Sequence, residues 1–506
     1  MADDTDVLIA GAGPTGLVLA LWLVRLGVRV RIIDKAPTPG ETSRALAVHA
    51  RTLEFYDQLG FAGEVVARGR KIDAMRMWVA GRQRARLQFG DIGAGISPFP
   101  YVLTFGQDEH ERLLIERLAA VGVSVERPVE LAAWETTAAG VVARLRHPGG
   151  SEETAHAAFL AGCDGARSKV REVMASGFPG GTYSRLFYVA DVEAGGAIVN
   201  GELNLALDSG DFLAAFPMRG EGRVRLVGDI EREEDANLDF ADVSHILIER
   251  LGVTIAKVNW FSTYRVHHRV AQTWRGGRAF LLGDAAHIHS PVGGQGMNTG
   301  IGDAINLAWK LAEVIAGRAP DDLLDTYEAE RIDFARRLVA STDRAFQIVS
   351  QDGPIARFVR LVLAPAILPL AFGFAAARRL MFLTVSQTNV NYRDQALSDG
   401  GAGKVRGGDR LPWVRAADGS DNFAPLTSVA WQGHVYGTAA PGLDAACAAA
   451  NLPLHVFPWT AAASRAGIAR DAFHLIRPDG YVALAVAREA AQALAAYQAQ
   501  HGLRFG

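Results

Sequence analysis

The chain has 506 residues, with 52 Lys and Arg against 55 Asp and Glu and a formal net charge of -3. This length exceeds one ordinary core and predicts two or three domains, while the balanced charge removes any electrostatic reason to expect nucleic acid or an acidic membrane as partner. The two cysteines, Cys163 and Cys447, stand far apart, which argues against a disulfide framework and fits a reducing cytoplasm.

The first element read along the chain is a short buried strand, Val7-Leu8-Ile9-Ala10. A turn follows with glycine at Gly11, Gly13 and Gly16, and then a helix, Leu17 to Leu26, that is apolar at almost every position. Gly11 permits the tight turn, Gly13 lets the backbone approach a pyrophosphate, and Gly16 lets helix and strand pack closely. The helix N-terminus offers free N–H groups and partial positive charge to phosphates. Gly27 ends the helix, and Val28 to Asp34 reads as the second strand. Asp34 stands where an acid accepts hydrogen bonds from an adenosine ribose and repels a 2′-phosphate. A dinucleotide is the expected ligand. The apolar start belongs to this unit, so no signal peptide is read.

Beyond it lies Glu41 to Ala45, where Arg44 is either a solvated surface residue or a guanidinium that binds pyrophosphate oxygens. A helix is expected over His49 to Gly60, strands within Met75 to Phe89, and a helix over Glu109 to Val121 after Gln107. Strands are expected at Val123 to Val129 and Gly140 to His147. Leu160 to Arg171 runs from a strand through the Asp164-Gly165 turn into a basic segment. Residues from about Thr182 to Tyr264 alternate apolar and polar, as in an antiparallel sheet with one face covered. Turn signals such as Asp208-Ser209-Gly210 punctuate it, and Glu231 to Asp235 reads as a solvated loop.

Arg278 to Gly283 is a buried strand ending at Asp284, and Ser290 to Asn298 is a glycine-rich loop that opens another helix. This is a second helix N-terminus directed at an anion. A metal reading of His287 and His289, or of His267 and His268, lacks a third ligand. Leu361 to Ala377 is apolar but interrupted by Pro365 and Pro369, and is short of the roughly 20 residues that span a bilayer. A buried, kinked helix pair without stable membrane insertion is expected there. Gly407 to Pro412 reads as a linker or the lead-in to a strand. A small C-terminal α/β domain follows, with strands at Val429 to Tyr436, Leu454 to Phe457, Ala472 to Ile476 and Tyr481 to Val486, and helices at Gly442 to Ala450 and Arg488 to Gln500.

Three of these stretches, Gly11 to Gly16, Cys163 to Arg171 and Gly283 to Asn298 with its helix, resemble the FAD-dependent aromatic hydroxylases. These are single-component (class A) flavoprotein monooxygenases with the para-hydroxybenzoate hydroxylase fold. Leu475-Ile476-Arg477-Pro478-Asp479-Gly480-Tyr481-Val482 resembles the thioredoxin-like tail of the phenol and polyketide hydroxylase branch, here without a Cys-x-x-Cys pair. The resemblance implies an α/β chain with a Rossmann-like FAD-binding domain and helical extension at 1–70, 101–180 and 270–400. An interleaved antiparallel-sheet substrate domain would occupy 71–100 and 181–269, and a thioredoxin-like domain 405–506.

It also implies the site. Gly11, Ala12, Gly13, Pro14, Thr15 and Gly16 would hold the FAD pyrophosphate, and Asp34 with Lys35 the adenosine end. Arg44 and Gln107 would serve the pyrophosphate and ribityl region, Asp164 the segment shared by FAD and nicotinamide, and Asp284 the ribityl chain. Gly294, Gly296, Met297 and Asn298 would line the flavin. Pro291 is a substrate-positioning candidate, Phe212, Phe216, Met218 and Tyr264 are candidate substrate walls, and no metal is implied. The base for a phenol is not identified; His49 and Tyr101 are guesses outside this set. The implied reaction uses NADPH or NADH as transient reductant and O2, and hydroxylates a phenolic or polycyclic aromatic through a C4a-hydroperoxyflavin, in a monomer or homodimer. The rivals are a Baeyer–Villiger-type oxygenase, halogenase or reductase on the same fold, an NAD dehydrogenase, and a non-catalytic FAD-binding protein.

Overall fold

The computed structural model describes residues 5–40, 45–208, 212–230, 238–243, 246–290, 292–350 and 357–506. At its centre strand Thr5–Ala10 pairs in parallel with Glu152–Gly162 on one side and Val30–Ile33 on the other. Ala279–Leu281 extends the same eight-stranded sheet. Val7, Leu8, Ile9 and Ala10 are all buried. A continuous apolar run is what a parallel strand covered on both faces requires. Helix Pro14–Arg25 buries residues 16 to 23 without interruption, and it packs across the long helix Gln295–Ile315. Strand Glu130–Thr136, unforeseen in the sequence, forms a hairpin with Val141–Arg146 that joins the sheet. Its alternation is blurred by Ala132, Ala133 and Trp134, which are half-buried or nearly so.

The second sheet also has eight strands, and Ala74–Val79 and Arg82–Gln88 enter it from far upstream. Its neighbours are antiparallel except Leu203–Leu207, which runs parallel to Ala74–Val79. The expectation of one covered face is corrected here, because both faces carry apolar clusters. Leu186, Tyr188, Ala190 and Leu226 pack with Leu247, Ile248 and Leu251 on one face. Phe187 and Val266, with Tyr183, Phe212 and Tyr264, occupy the other.

The C-terminal six-stranded sheet has the order Val405–Arg406, Asp399–Ala402, Val482–Val486, Phe473–Ile476, Gln432–Tyr436, Leu454–Phe457. It joins the body through buried charges. Arg477 donates to Glu330 at 2.6 and 3.0 Å and to Asp479 at 2.6 and 3.0 Å. Lys310 Nζ reaches Glu330 at 2.9 Å, and the Trp309 indole N–H donates to Asp479. Farther along, Arg410 and Arg51 both pair with Glu54, and all three are buried. Of the two readings of residues 407–412, the structure favours strand pairing over a free linker: Arg410 forms an isolated bridge with Tyr481 and binds Glu54 of helix Ala50–Gln58.

The apolar segment near residue 370 also departs from expectation. Helices Leu361–Gly373 and Ala375–Val385 meet at 106°. The break falls at Phe374, whose backbone is extended, while Pro365 and Pro369 are accommodated within the first helix. The pair is not buried: Leu370 is 71% and Phe374 70% exposed. Among the described residues no single helix is long and apolar enough to cross a membrane.

Burial pushes the Glu330 carboxyl up, but the Arg477 and Lys310 charges outweigh it and bring it to about 2. A folded value below the unfolded one means that its stabilisation is complete above the ordinary carboxylate range and is lost as pH falls towards 2. Glu330→Gln strands two buried cations, so a loss of about 3–5 kcal/mol is expected. In thermal melts the variant should fall well below the parent at pH 7, and the gap should narrow as the pH is lowered through about 4. Coincident melts at pH 7 would show that this junction does not carry the stability assigned to it.

Candidate functional site

The glycine turn shows which of its positions packing requires. Gly11 has φ +103°, and a Cβ there would lie 2.2 Å from the Cys163 carbonyl oxygen. A Cβ on Gly16 would lie 2.0 Å from the Gly11 carbonyl oxygen. At Gly13, by contrast, a Cβ meets nothing within 4 Å. Packing within the protein does not demand glycine there, and the space lies at the N-terminus of helix Pro14–Arg25, with Gly13 as N-cap and no side chain capping it. Open volume over unpaired N–H groups fits a pyrophosphate. Thr15 faces the other way. Its hydroxyl lies within 2.7 Å of where a Cβ on Gly283, and 2.4 Å of where one on Gly300, would stand, so it joins the opening turn to the later loop.

Asp34, at the end of strand Val30–Ile33, accepts from the Ala12 N–H and the Ala36 N–H, each at 2.8 Å. Arg127 stands 3.3 Å from it and donates to the carbonyls of Ala12, Ala36 and Thr38. Lys35 is exposed. Ala45 and Gln107 are tied together: Gln107 N–H donates to Ala45 O at 3.1 Å, and Ala45 N–H to Gln107 Oε1 at 3.2 Å. Arg44 lies outside the described residues. Arg225, which the sequence reading missed, extends from the second sheet to Ala45 O while paired with Asp191. The available signal was a charge set between Val224 and Leu226 in an otherwise apolar run; that Arg225 is buried is seen only in the structure.

Asp164 Oδ2 accepts from the N–H groups of Lys169 and Val170, at 2.6 and 3.2 Å. Its Oδ1 is buried with no hydrogen-bond partner, and burial pushes the carboxyl up. Asp284 is exposed on the single turn Gly283–Ala285 that ends strand Ala279–Leu281. Beneath that turn Asp303 accepts from Gly283 N–H, pairs with His287 Nε2 at 2.7 Å and binds Arg331 at 2.7 Å. His287 is thus held by a buried hydrogen bond to Asp303. Among the described residues no group of three or more His, Cys, Asp or Glu is placed to hold a metal. Asp303 and Arg331 carried no local motif, and only a charge set within an apolar helical run marks Asp303.

In the glycine-rich loop Gly293 and Gly294 have φ +76° and +63°. Asn298 is 1% exposed, and its amide is spent on the protein. Its oxygen accepts from His49 N–H and the Thr52 hydroxyl, and its nitrogen donates to the carbonyls of Ala47 and Gly294. This side chain pins the loop to strand Ala47–Val48, whereas Met297 is half-buried against the main core. A Cβ on Gly296 would lie 3.8 Å from the His289 ring. Pro291 lies outside the described residues. Of the wall candidates, Phe212 and Tyr264 share one sheet face around Phe187, each about 6.0 Å from it. Phe216, on strand Phe212–Pro217, shares the Phe212 face by alternation and is half-buried. Met218 lies just past that strand and is hydrogen-bonded to Arg223.

Residues 4–342 match a family described as FAD binding domain. The chain is 41% identical over 385 residues to the 6-methylpretetramide 4-monooxygenase of Streptomyces rimosus, covering 75% of this chain and 67% of that one. It is 33% identical over 490 residues to a flavin-dependent monooxygenase of Mycobacteroides abscessus, covering 94% and 96%. The solved structure of the anhydrotetracycline hydroxylase OxyS from Streptomyces rimosus superposes with a TM-score of 0.80 at 29% identity, covering 99% of each chain.

The two glycines separate packing from ligand binding. Gly16→Ala is expected to lower the melting temperature of the FAD-free protein by several degrees through its clash. Gly13→Ala should leave that melt within about 0.5 kcal/mol of the parent while weakening FAD binding about tenfold or more. Equal FAD affinity in Gly13→Ala and the parent, by fluorescence titration, would rule out a pyrophosphate over Gly13.

Proposed function

This chain belongs to the family of FAD-dependent aromatic monooxygenases, and from that premise we propose that it hydroxylates a phenolic or polycyclic aromatic molecule, with NADPH or NADH as transient reductant. One observation carries the reading. The turn at Gly11 to Gly16 and the helix that the Gly293 to Asn298 loop opens, remote in sequence, meet through Thr15, Gly283 and Gly300, and Asn298 pins the loop to strand Ala47–Val48. An extended cofactor can then keep its phosphates at one end and its reactive ring at the other.

Bound FAD supplies hydride acceptance from the nicotinamide and activation of O2 for transfer of one oxygen atom to an electron-rich ring carbon. The chain supplies the rest. Gly11, Ala12, Gly13, Pro14 and the helix behind them hold the pyrophosphate, Asp34 the ribose, and Arg44, Gln107, Asp164 and Asp284 the remainder. Gly294, Gly296 and Met297 border the ring. The N-terminus of helix Gln295–Ile315 directs its positive end at the charge of reduced flavin. Phe212, Phe216 and Tyr264 exclude water from the reacting atoms, which suppresses wasteful peroxide release, and Pro291 and Met218 complete the substrate's surroundings.

The order of the C-terminal strands, with Phe473–Ile476 antiparallel to both its neighbours, supports a thioredoxin-like domain serving as structure, since Cys447 is buried and alone. The names of two of these relatives, a 6-methylpretetramide 4-monooxygenase and an anhydrotetracycline hydroxylase, support a fused-ring substrate.

Purified protein should carry a flavin spectrum, and phenols or fused-ring phenols should stimulate NADPH or NADH oxidation with matched O2 uptake. Asp284→Ala is expected to lose at least tenfold in FAD affinity or to seat the flavin wrongly. A colourless protein that refuses FAD sinks the proposal, and bound FAD with no stimulation by any aromatic moves the chain to another flavin chemistry.

A further inference from the structure

The bent pair of helices Leu361–Gly373 and Ala375–Val385 presents to solvent an apolar face that the proposed chemistry does not use. Phe358, Val362, Ile367, Leu370, Phe374 and Leu380 are between 49% and 71% exposed. As far as Phe374 they recur at helical spacing, so they line one side of the first helix. Its other side is already taken. Leu361, Leu368 and Phe372 pack on the cluster of Leu87 and Phe89, and the Phe372 and Phe89 rings are 6.2 Å apart. A helix that is apolar on every side is normally covered on every side. Here the protein covers one side only, and an exposed apolar stripe of this kind marks a surface that meets a partner.

The charges beside the stripe decide which partner. The near-neutral chain hides a local excess: between Asp352 and Asp394 the sequence has no acid and five arginines, Arg357, Arg360, Arg378, Arg379 and Arg393. Arg393 is paired with Asp409. Arg378 donates to the carbonyls of Phe372 and Gly373 and so closes the first helix. Arg357 and Arg379 are exposed. Strand Arg82–Gln88, on which the first helix packs, adds exposed Arg82 and Arg84. Against them stands Asp91, exposed in the turn that Phe382 packs on. Residues 361–377 carry no polar side chain. A second copy meeting this face across a two-fold axis would set arginines against arginines, with no acid from the segment to join them. Protein interfaces also carry about one hydrogen bond per 100–200 Å², and the stripe has no side chain to make one. An anionic lipid bilayer requires neither, because its phosphates meet the arginines and its acyl boundary takes apolar side chains without hydrogen bonds.

We infer that this helix pair adsorbs the protein to the surface of an anionic lipid bilayer, with Phe358, Ile367, Leu370 and Phe374 at the acyl boundary and the Arg357 and Arg379 guanidinium groups among the headgroup phosphates. The pair lies on the bilayer and does not cross it, because its other side is packed on the protein and its two arms meet at 106°. Arginine suits that depth, since its stem lies along apolar surface while its charge stays in water. Each apolar side chain and each arginine adds a modest increment, so adsorption is reversible and weakens as salt screens the charges. The inference does not depend on the oxygenase reading.

The test is flotation of the FAD-loaded chain with vesicles of equimolar phosphatidylglycerol and phosphatidylcholine, and with vesicles of phosphatidylcholine alone. The parent should float with the anionic vesicles at low salt, bind the neutral ones about tenfold or more weakly, and be released as salt is raised. Leu370→Ser combined with Phe374→Ser should weaken binding to the anionic vesicles about tenfold or more. Arg357→Gln combined with Arg379→Gln should weaken it by a similar factor. All four side chains are exposed, so both double variants should melt with the parent. If the serine pair melts lower, the arginine pair decides. A parent that stays unbound, or that binds neutral and anionic vesicles alike, overturns the inference, as does parent-like binding by the arginine pair or by a stably folded serine pair. A parent that ignores both vesicles but forms a dimer, which Leu370→Ser with Phe374→Ser dissociates, overturns it in favour of a second copy on this face.

Discussion

The molecule depends on backbone approaching backbone where strands Thr5–Ala10, Glu152–Gly162 and Ala279–Leu281 end together. Gly11 lies against the carbonyl of Cys163, Gly16 against that of Gly11, and Thr15 fills the gap left by Gly283 and Gly300. Each contact is too close for a side chain on the glycine. The result is a common edge at the carboxyl ends of three parallel strands, the place where open α/β sheets bind ligands. Gly13 sits on that edge with open space above it, so packing within the protein does not require glycine there.

Around that edge the chain buries several charges. Asp303 holds His287 and Arg331 under the loop, Glu330 holds Arg477 and Lys310, and Glu54 holds Arg51 and Arg410. Buried pairs of this kind contribute little net stability against well-packed apolar groups, but leaving one member alone is expensive. They therefore penalise misplacement. Helix Gln295–Ile315 cannot slide without uncoupling Asp303 from Arg331 and Lys310 from Glu330, and the C-terminal sheet cannot tilt without stranding Arg477. The glycine-rich loop and its helix are held from beneath by Asp303 and Arg331 and from the side by Asn298. The helices Leu361–Gly373 and Ala375–Val385 attach to this framework along one side, through Leu368 and Phe372 against the cluster of Leu87 and Phe89 and through Phe382 and Val385 at the C-terminal end.

Much of this was legible because it is local. The strand, glycine turn, helix and acid of residues 6 to 34 obey periodicities and spacings of neighbouring residues. The C-terminal strands were readable for the same reason, being short apolar runs bounded by turn residues. The hairpin strand Glu130–Thr136 was not, since its alternation is weak. Leu361 to Ala377 misled because an apolar run registers composition and not coverage: the break came at Phe374 and not at a proline, and the faces stayed exposed.

The sequence by itself determined that a dinucleotide-type turn opens the chain, that a second glycine loop with an acid follows near residue 284, and that both belong to a flavin oxygenase family. Only the tertiary structure decided what each polar side chain does. It turned Asn298 inward as a clamp, bound His287 to Asp303, sent Arg225 across to Ala45, and made Arg477 and Asp479 the joint between the C-terminal sheet and the helices beneath it. The physical reason is that turns and helix starts are set by residues a few positions apart. The fate of a buried donor or acceptor is set by partners tens or hundreds of positions away, which no local pattern records.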